Sequence, residues 1–184
     1  MAPRRILVYG VTGSGKTTLA RRISEKTGLP FIDVDELTWL PGWVEVSAEE
    51  QVAIISQIVA KDEWVMDTAY GKWSHIVLPR AELIVGLDYP RWLSLGRLLR
   101  RTFLRALLKT PACNGNYERW SNLWRRDSIV SWHFNSWARK RERIRGWKEK
   151  GTPETILFRQ PRDAEEWLDT LRDAQNSVPP QPRR

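Results

Sequence analysis

Residues 10–17, which read GVTGSGKT, constrain this chain most, because they match the phosphate-binding pattern G-x-x-x-x-G-K-[ST] at every position. Glycines at this spacing let successive backbone N–H groups turn inward on phosphate oxygens, while Lys16 reaches the terminal phosphates and Thr17 offers a hydroxyl for Mg²⁺. The apolar run before this phosphate loop predicts a strand, and residues 18–23 predict a helix whose positive N-terminal end faces the anion. An ordinary glycine-rich turn is the alternative, and the flanking strand and helix disfavour it. We predict a nucleotide site formed by Gly10, Val11, Thr12, Gly13, Ser14, Gly15, Lys16, Thr17 and Thr18.

The length of 184 residues fits one α/β domain, which we expect over residues 1–174, followed by a proline-containing tail that is expected to be disordered. No apolar run approaches the roughly 20 residues of a membrane helix, and the first residues lead into too few apolar ones for a signal peptide. Cys113 is the single cysteine, so no internal disulfide can form. These features predict a cytoplasmic protein.

Positive charge is concentrated in the second half of the chain. The net charge is +8, and between Arg91 and Lys150 there are sixteen basic and four acidic residues. Such a cluster could close over a nucleoside triphosphate or face a polyanion such as nucleic acid. Most of the eleven tryptophans are expected to pack helices together, although stacking on bases is conceivable for those in the basic segment.

Five short apolar segments alternate with helical patterns, which predicts a five-stranded parallel sheet with helices on both faces. The predicted strands are residues 5–9, 29–35, 64–66, 83–87 and 155–158. Ligands bind at the carboxyl ends of the strands in such folds, where this sequence has Gly10, Asp33, Asp67, Asp88 and Arg159. Between the strands we expect an irregular aromatic loop at 38–46, a capped helix from 47, a mobile loop at 110–119 and a long helix over 127–148.

The chain resembles the adenylate-kinase-related group of small P-loop phosphotransferases, and within it proteins named topology modulation proteins. The resemblance rests on the phosphate loop and on three further segments, and it covers roughly residues 4 to 172. These segments are FIDVDEL at 31–37, PGW at 41–43, and LDYP at 87–90 followed by an arginine-rich helix. It implies an ATP-dependent transfer of the γ-phosphoryl group, an acceptor region at about 34–62 and a lid at about 106–127.

The resemblance also implies roles for individual residues. Asp67 is the carboxylate expected to hold magnesium through water, with Thr17 as the hydroxyl ligand and Asp33 as second choice after Asp67, and the turn at Arg159 and Gln160 is expected to hold adenine. Lys16 and lid arginines would stabilise the transferring group; the arginines expected to do so are Arg101, Arg125 and Arg126, with Arg97 and Arg139 behind them.

The acceptor is not identified by the sequence. No arginine lies between Arg22 and Arg80, which argues against a nucleoside monophosphate, and Thr68 replaces the glycine that such kinases have after the strand-three aspartate. Asp33 and Asp35 suit a hydroxyl acceptor, because a carboxylate can orient a hydroxyl and take its proton. Trp43 could add an aromatic wall.

Plainer interpretations stand beside these. Asp33, Asp35, Asp67 and Asp88 could serve only as turn and helix-capping residues, which we favour for Asp88. Any single lid arginine could be a solvated charge. Three functions therefore remain open at this point: a small-molecule kinase that uses ATP and Mg²⁺, a nucleotide-binding protein whose basic lid contacts nucleic acid, and a nucleotide-dependent interaction module without turnover.

Overall fold

The computed structural model of the chain describes residues 2–117 and 129–176. Two of the predicted catalytic arginines, Arg125 and Arg126, lie outside these residues, as does the predicted tail from residue 177 onward. The beginning of that tail belongs to the last helix, which extends to Asn176.

A five-stranded parallel sheet forms the centre of the molecule, as predicted, and a two-stranded hairpin lies apart from it. The described elements are, in chain order, β1 (Arg5–Gly10), α1 (Lys16–Thr27), β2 (Phe31–Ile32), α2 (Val34–Thr38), β3 (Trp39–Leu40), β4 (Val44–Glu45), α3 (Ala48–Val59), β5 (Trp64–Met66), α4 (Ser74–Val77), β6 (Leu83–Leu87), α5 (Arg91–Leu108), α6 (Ile129–Lys150), β7 (Glu154–Phe158) and α7 (Pro161–Asn176). The sheet order is β2-β5-β1-β6-β7. This order puts β1, and the phosphate loop that follows it, in the middle of the sheet.

The sheet is buried on both faces, which explains why its strands read as continuous apolar runs. Side chains of β1 alternate between two core clusters, with Ile6 and Val8 on one face and Leu7 and Tyr9 on the other. Helices α1 and α7 cover the first face, and α3, α4 and α6 contribute to the second. No helix of residues 2–117 or 129–176 is long and apolar enough to cross a membrane.

The predicted strand at 29–35 is shorter than expected. Only Phe31 and Ile32 pair in the sheet. The strand ends there because α2 begins at Val34, and Asp33 connects the two elements. Asp33 and Asp35 therefore do not lie on one extended strand: Asp33 precedes α2, and Asp35 lies in the first turn of that helix.

The segment 38–46 is also more regular than predicted. It forms the β3–β4 hairpin, in which Trp39 pairs with Glu45 and Leu40 with Val44. The turn places Gly42 at φ 82° and Trp43 at φ 60°, a backbone region that glycine adopts easily and tryptophan rarely does. The prediction of a loop was wrong because strands of two residues leave no detectable alternation in the sequence.

Local signals at the helix ends were confirmed. Gly28 ends α1 with φ 75° and donates its N–H to Ser24 O at 2.8 Å. Ser47 caps α3 by accepting a hydrogen bond from the backbone N–H of Glu50 at 3.2 Å.

Helix α6 lies directly against the sheet. A Cβ atom added at Gly86 would come within 2.4 Å of Ile144 Cγ2, so the absence of a side chain at Gly86 lets α6 approach β6. One turn further, the indole of Trp147 packs edge-on against the Tyr9 ring with centroids 4.8 Å apart. These contacts bring the polar residues of α6 over the carboxyl ends of the strands.

Candidate active site

The phosphate loop has the backbone geometry that its sequence predicts. Gly13 and Gly15 have φ angles of 81° and 94°, in the left-handed region that glycine adopts without strain. A Cβ atom at Gly13 would also come within 2.3 Å of Ser94 O on α5, so the loop is packed against that helix. Gly15 stands at the N-terminus of α1 and provides no side-chain cap, which leaves the N–H groups of the first turn available to an anion.

Lys16 is folded back over the loop, where its Nζ donates to Val11 O at 3.1 Å. Burial lowers the pKa of Lys16, and the carboxylates of Asp67 and Asp35 counteract this effect, while Arg101 on α5 adds to it. A phosphate that binds here would stabilise both the partly desolvated ammonium and the uncapped N–H groups of the helix.

Thr17 and Asp67 meet as the sequence predicts for magnesium ligands. Thr17 Oγ1 donates to Asp67 Oδ2 at 2.5 Å, and Asp67 Oδ1 accepts from the backbone N–H of Val34 at 3.1 Å. Asp67 is 3% exposed, and burial raises the pKa of its carboxyl despite these two hydrogen bonds. A hydroxyl and a carboxylate held together fit Mg²⁺, which takes one or two protein oxygens and completes its shell with phosphates and water. The described residues contain no cluster of three or more His, Cys, Asp or Glu side chains that would bind a metal by themselves.

The predicted acceptor carboxylates lie beside this pair. Asp33 is the residue before α2, its side chain makes no capping hydrogen bond, and Arg21 Nη2 is 3.9 Å from its Oδ2. Burial, followed by the charges of Asp67, Glu36 and Asp35, raises the pKa of Asp33 to about 6. The Asp33 carboxyl therefore titrates near the pH range of a general base.

Asp35 is oriented by Tyr70, a residue that the sequence analysis did not assign. Tyr70 Oη donates to Asp35 Oδ1 at 2.5 Å, and burial together with Asp35 raises the pKa of this phenol well above its ordinary value. Tyr70 follows β5 by four residues, and no spacing rule connects it with Asp35, so only the fold reveals the contact.

Trp43, the predicted aromatic wall, stands at the tip of the hairpin and is 41% exposed. Its ring packs edge-on against Trp39 with centroids 6.0 Å apart. The backbone N–H of Trp43 donates to Asn116 Oδ1 at 2.8 Å, and Asn116 Nδ2 donates to Leu40 O at 3.0 Å. Asn114 Nδ2 also donates to Trp39 O at 2.6 Å. The segment after α5 is thereby hydrogen-bonded onto the hairpin.

Two arginines of α5 come near the phosphate loop. Arg97 Nη1 donates to Ser14 O at 3.4 Å, and Arg101 is close enough for its charge to lower the pKa of Lys16. The structure thus brings Arg101, one predicted catalytic residue, into the electrostatic surroundings of the loop.

Helix α6 contributes three polar residues to the site that sequence reasoning missed. His133 is fully buried and its Nδ1 donates to Thr12 O at 3.1 Å, while burial lowers its pKa. Arg143 Nη1 donates to Tyr9 Oη at 3.2 Å. Lys140 lies between them, and burial followed by the charge of Lys16 lowers its pKa from 10.5 to about 7. The helical spacing of 133, 140, 143 and 147 was the one available signal, and it could not show which helix covers the loop.

Asp88 corrects an expectation. It was favoured as a turn residue, but its fully buried carboxylate accepts from Arg141 Nε at 2.5 Å and from Arg145 Nη2 at 2.9 Å. Asp88 therefore anchors α6 at the end of β6.

Arg159 and Gln160, the predicted adenine residues, are exposed directly after β7. The backbone N–H of Asp88 donates to Phe158 O at 2.9 Å, which places this turn at the same edge of the sheet as the phosphate loop.

Sequence comparisons with known proteins give matches to the segment that contains the phosphate loop. The model of the AAA family, described as the ATPase family associated with various cellular activities, matches residues 6–67, which include the phosphate loop and Asp67. A curated protein of Bacillus pumilus, the ATP-dependent protease ATPase subunit ClpY, is 37% identical over 34% of this chain and 15% of its own length. ClpY of Bacillus velezensis is 51% identical over 19% of this chain and 8% of its own length. The chain thus spans less than a sixth of these relatives.

Solved structures resemble the whole fold. A gluconokinase from Sinorhizobium meliloti has a TM-score of 0.53 and 19% identity, with 95% of this chain and 96% of that chain covered. Shikimate kinase from Acinetobacter baumannii, in complex with shikimate, has a TM-score of 0.56 and 18% identity, with 95% of both chains covered. Deoxyadenosine kinase from M. mycoides with bound dCTP has a TM-score of 0.52 and 12% identity, with 94% and 99% covered.

The structural similarity establishes the fold, but sequence identities this low leave the substrate open. The resemblance to topology modulation proteins stays an expectation, since none of these matches bears on it. The chain therefore has the fold of these small-molecule and nucleoside kinases, and its segment 6–67, which contains the phosphate-loop pattern, is similar to AAA ATPases.

Proposed function

We propose that this protein transfers the γ-phosphoryl group of ATP, with Mg²⁺, to a hydroxyl group of a small-molecule acceptor. One observation carries the proposal: a single buried carboxylate, Asp67, joins Thr17 of the phosphate loop to the N-terminus of α2. The predicted metal ligands and the acceptor carboxylates of α2 therefore share one anchor. A nucleotide bound at the loop would have its terminal phosphate beside Asp33 and Asp35.

The phosphate loop would bind the nucleotide through the first N–H groups of α1 and through the ammonium of Lys16, which would exchange its hydrogen bond to Val11 O for one to phosphate. Thr17 and Asp67 would hold Mg²⁺, which neutralises charge on the β- and γ-phosphates. Arg101 would add charge near the transferring group. Arg159 and Gln160 would contact adenine at the end of β7.

Transfer itself requires a positioned hydroxyl and a group that accepts its proton. The acceptor oxygen attacks the γ-phosphorus, the bond to the β–γ bridging oxygen breaks, ADP leaves with that electron pair, and the hydroxyl proton passes to Asp33. The raised pKa of Asp33, about 6, makes this carboxylate a better base than an ordinary aspartate. Asp35, oriented by Tyr70, would accept a hydrogen bond from the same molecule.

Different segments of the chain would bind the acceptor and cover the bound nucleotide. Residues 34–62, which contain α2, the hairpin and α3, would form the acceptor region, and residues 106–127 would form the lid within one domain that ends near 174. The hydrogen bonds from Asn114 and Asn116 to the hairpin support contact between the two. We expect the reaction in the cytoplasm, where ATP is supplied.

The test is a screen for acceptor-stimulated ADP release. Sugars, hydroxy acids, nucleosides and nucleotides are added to the protein with ATP and Mg²⁺, and ADP is measured in a coupled assay. The proposal expects at least one class to raise ADP release well above background hydrolysis.

Matched variants assign the signal to this site. Asp33→Asn should abolish the acceptor-stimulated part while ATP affinity is retained, and Lys16→Ala should weaken ATP binding strongly. Glu25→Gln, at an exposed position near the end of α1 and outside the acceptor region and the lid, should change neither. Absence of stimulation by every class, with ATP still bound, would refute the kinase proposal.

A second candidate function is supported by the surface of the basic segment. Trp132 and Phe134 on α6 are 48% and 45% exposed, and Arg91 lies 4.3 Å over the Phe134 ring. Aromatic rings beside arginines suit stacking with nucleic acid bases. Binding of single-stranded oligonucleotides that weakens steeply between 50 and 200 mM salt would favour this function, as roughly expected when several phosphates are neutralised.

A further inference from the structure

We propose that Lys140 of α6 is a catalytic residue that binds the transferring phosphoryl group. This inference rests on the proposed function, which supplies the substrate. It adds to the proposed active site a residue of α6, a helix that the sequence did not connect with the phosphate loop.

The position of Lys140 follows from the contacts that hold α6. Seven residues before it, His133 Nδ1 donates to Thr12 O in the loop at 3.1 Å; seven residues after it, Trp147 packs on Tyr9 at the end of β1. Seven residues are about two helical turns, so Lys140 lies on the same face of α6, between these two contacts. That face covers the carboxyl ends of β1 and β6, where Gly86 admits Ile144.

The charges around Lys140 come from several elements and are mostly positive. Those that act on it directly are Lys16 at the start of α1, Asp35 on α2, and Arg139 and Arg143 on α6. Two further charges, Asp67 after β5 and Arg101 on α5, affect the pKa of Lys16. The charge of Lys140 in turn lowers the pKa of His133 on α6. Among the described residues neither Lys140 nor Lys16 forms an ion pair with a carboxylate, so their charges lack a counter-ion.

An anion between Lys16 and Asp35 would supply the missing charge. Lys16 marks the terminal phosphates and Asp35 marks the acceptor, and the face of α6 that carries Lys140 lies against the loop at Thr12 and against β1 at Tyr9, at the same edge of the sheet. Desolvation and the repulsion from Lys16 hold the pKa of Lys140 at about 7 without ligand. Phosphate charge raises it again, because an anion favours the protonated ammonium.

The measurable consequence is proton uptake on binding. At pH 8 a group with a pKa near 7 is about 10% protonated, so full protonation in the complex takes up about 0.9 protons per site. Isothermal titration calorimetry in buffers that differ in ionisation enthalpy gives this number as the slope of the observed enthalpy. The probe is a non-hydrolysable ATP analogue with Mg²⁺, and ADP serves as the comparison without a γ-phosphate.

Three variants separate Lys140 from the other titrating groups. Lys140→Arg keeps the charge at every pH and should bind the analogue at least as tightly as the wild type, with the uptake reduced by about 0.9 protons. Lys140→Met should show the same reduction, bind about tenfold more weakly and lower kcat in the acceptor assay more than it changes the acceptor KM. Lys148→Met, at an exposed position on the same helix, should match the wild type.

The outcomes distinguish this proposal from the kinase function. Equal proton uptake by the wild type and Lys140→Arg overturns the role of Lys140 and leaves the kinase function standing. Equal uptake with ADP and with the analogue overturns its placement at the transferring group. If uptake depends on Lys140 but no acceptor is ever phosphorylated, the kinase function fails while the phosphate contact is supported. Absence of nucleotide binding overturns both.

Discussion

Replacement of Asp33 by asparagine is expected to stabilise the protein at neutral pH while removing acceptor phosphorylation. The Asp33 side chain is 16% exposed, and burial and three nearby carboxylates raise its pKa from 3.8 to about 6. An acid whose pKa is higher in the folded state binds more protons there than in the unfolded chain, so stability falls as pH rises between these values. The ionised carboxylate therefore destabilises the fold most above pH 6.

The magnitude follows from the shift. With a shift of about 2 pKa units at 1.36 kcal/mol each, the ionised Asp33 carboxylate lowers the free energy of unfolding by about 3 kcal/mol at pH 8. Asparagine has no charge to desolvate, so Asp33→Asn avoids this loss. The weak contact with Arg21 at 3.9 Å subtracts little. For a chain of this size we expect a Tm about 6 to 12 °C higher. Below pH 4 the two proteins should be equally stable.

The assay is urea unfolding of the wild type and Asp33→Asn at pH 4.5, 5.5, 6.5 and 8, with Asp62→Asn as the control for loss of an exposed carboxylate. The difference should open between pH 4 and 6 and then remain constant. Equal stability at pH 8, or a difference that grows as pH falls, would refute the assignment of Asp33 as a desolvated carboxylate with a raised pKa.

Three other substitutions test the packing of the site. Gly13→Ala places a Cβ atom 2.3 Å from Ser94 O at φ 81°, so urea unfolding should show a loss of about 2 to 4 kcal/mol together with weaker ATP binding; wild-type values for both would contradict the tight loop. Asp88→Asn leaves two arginines of α6 without their buried counter-charge and should lower the free energy of unfolding by about 2 to 4 kcal/mol, whereas an unchanged urea midpoint would show that this pair does not anchor α6. Asn116→Ala removes hydrogen bonds to Leu40 and Trp43, so proteolysis of the hairpin should accelerate and the free energy of unfolding should fall by about 1 to 2 kcal/mol; equal cleavage rates would argue against the contact.

Much of the fold could be predicted because its signals are local. The phosphate-loop pattern, the apolar strand runs and the caps at Gly28 and Ser47 each depend on neighbouring residues only, and the structure reproduces them. The hairpin at 38–46 was missed for the same reason, since two-residue strands carry too little pattern.

The candidate site was predicted in part. The meeting of Thr17 with Asp67 could be expected, because the carboxyl ends of adjacent parallel strands lie at one edge of the sheet. The contact between Tyr70 and Asp35 could not, because a side chain that reaches across from a loop leaves no spacing rule to detect.

The sequence by itself predicted a phosphate-binding pattern directly after the first strand of a parallel sheet, since spacing and apolar runs specify that arrangement, and the strand order of the structure then put this loop at the centre of the sheet. Only the tertiary structure decided which of the many cations lie near the phosphate loop. His133 reaches the loop and Arg143 reaches Tyr9 of β1, with Lys140 between them along the helix, because Gly86 lets α6 pack closely on the sheet and Asp88 binds its arginines. Their spacing along a helix shows that they share a face, whereas the surface which that face covers depends on contacts between residues far apart in the chain.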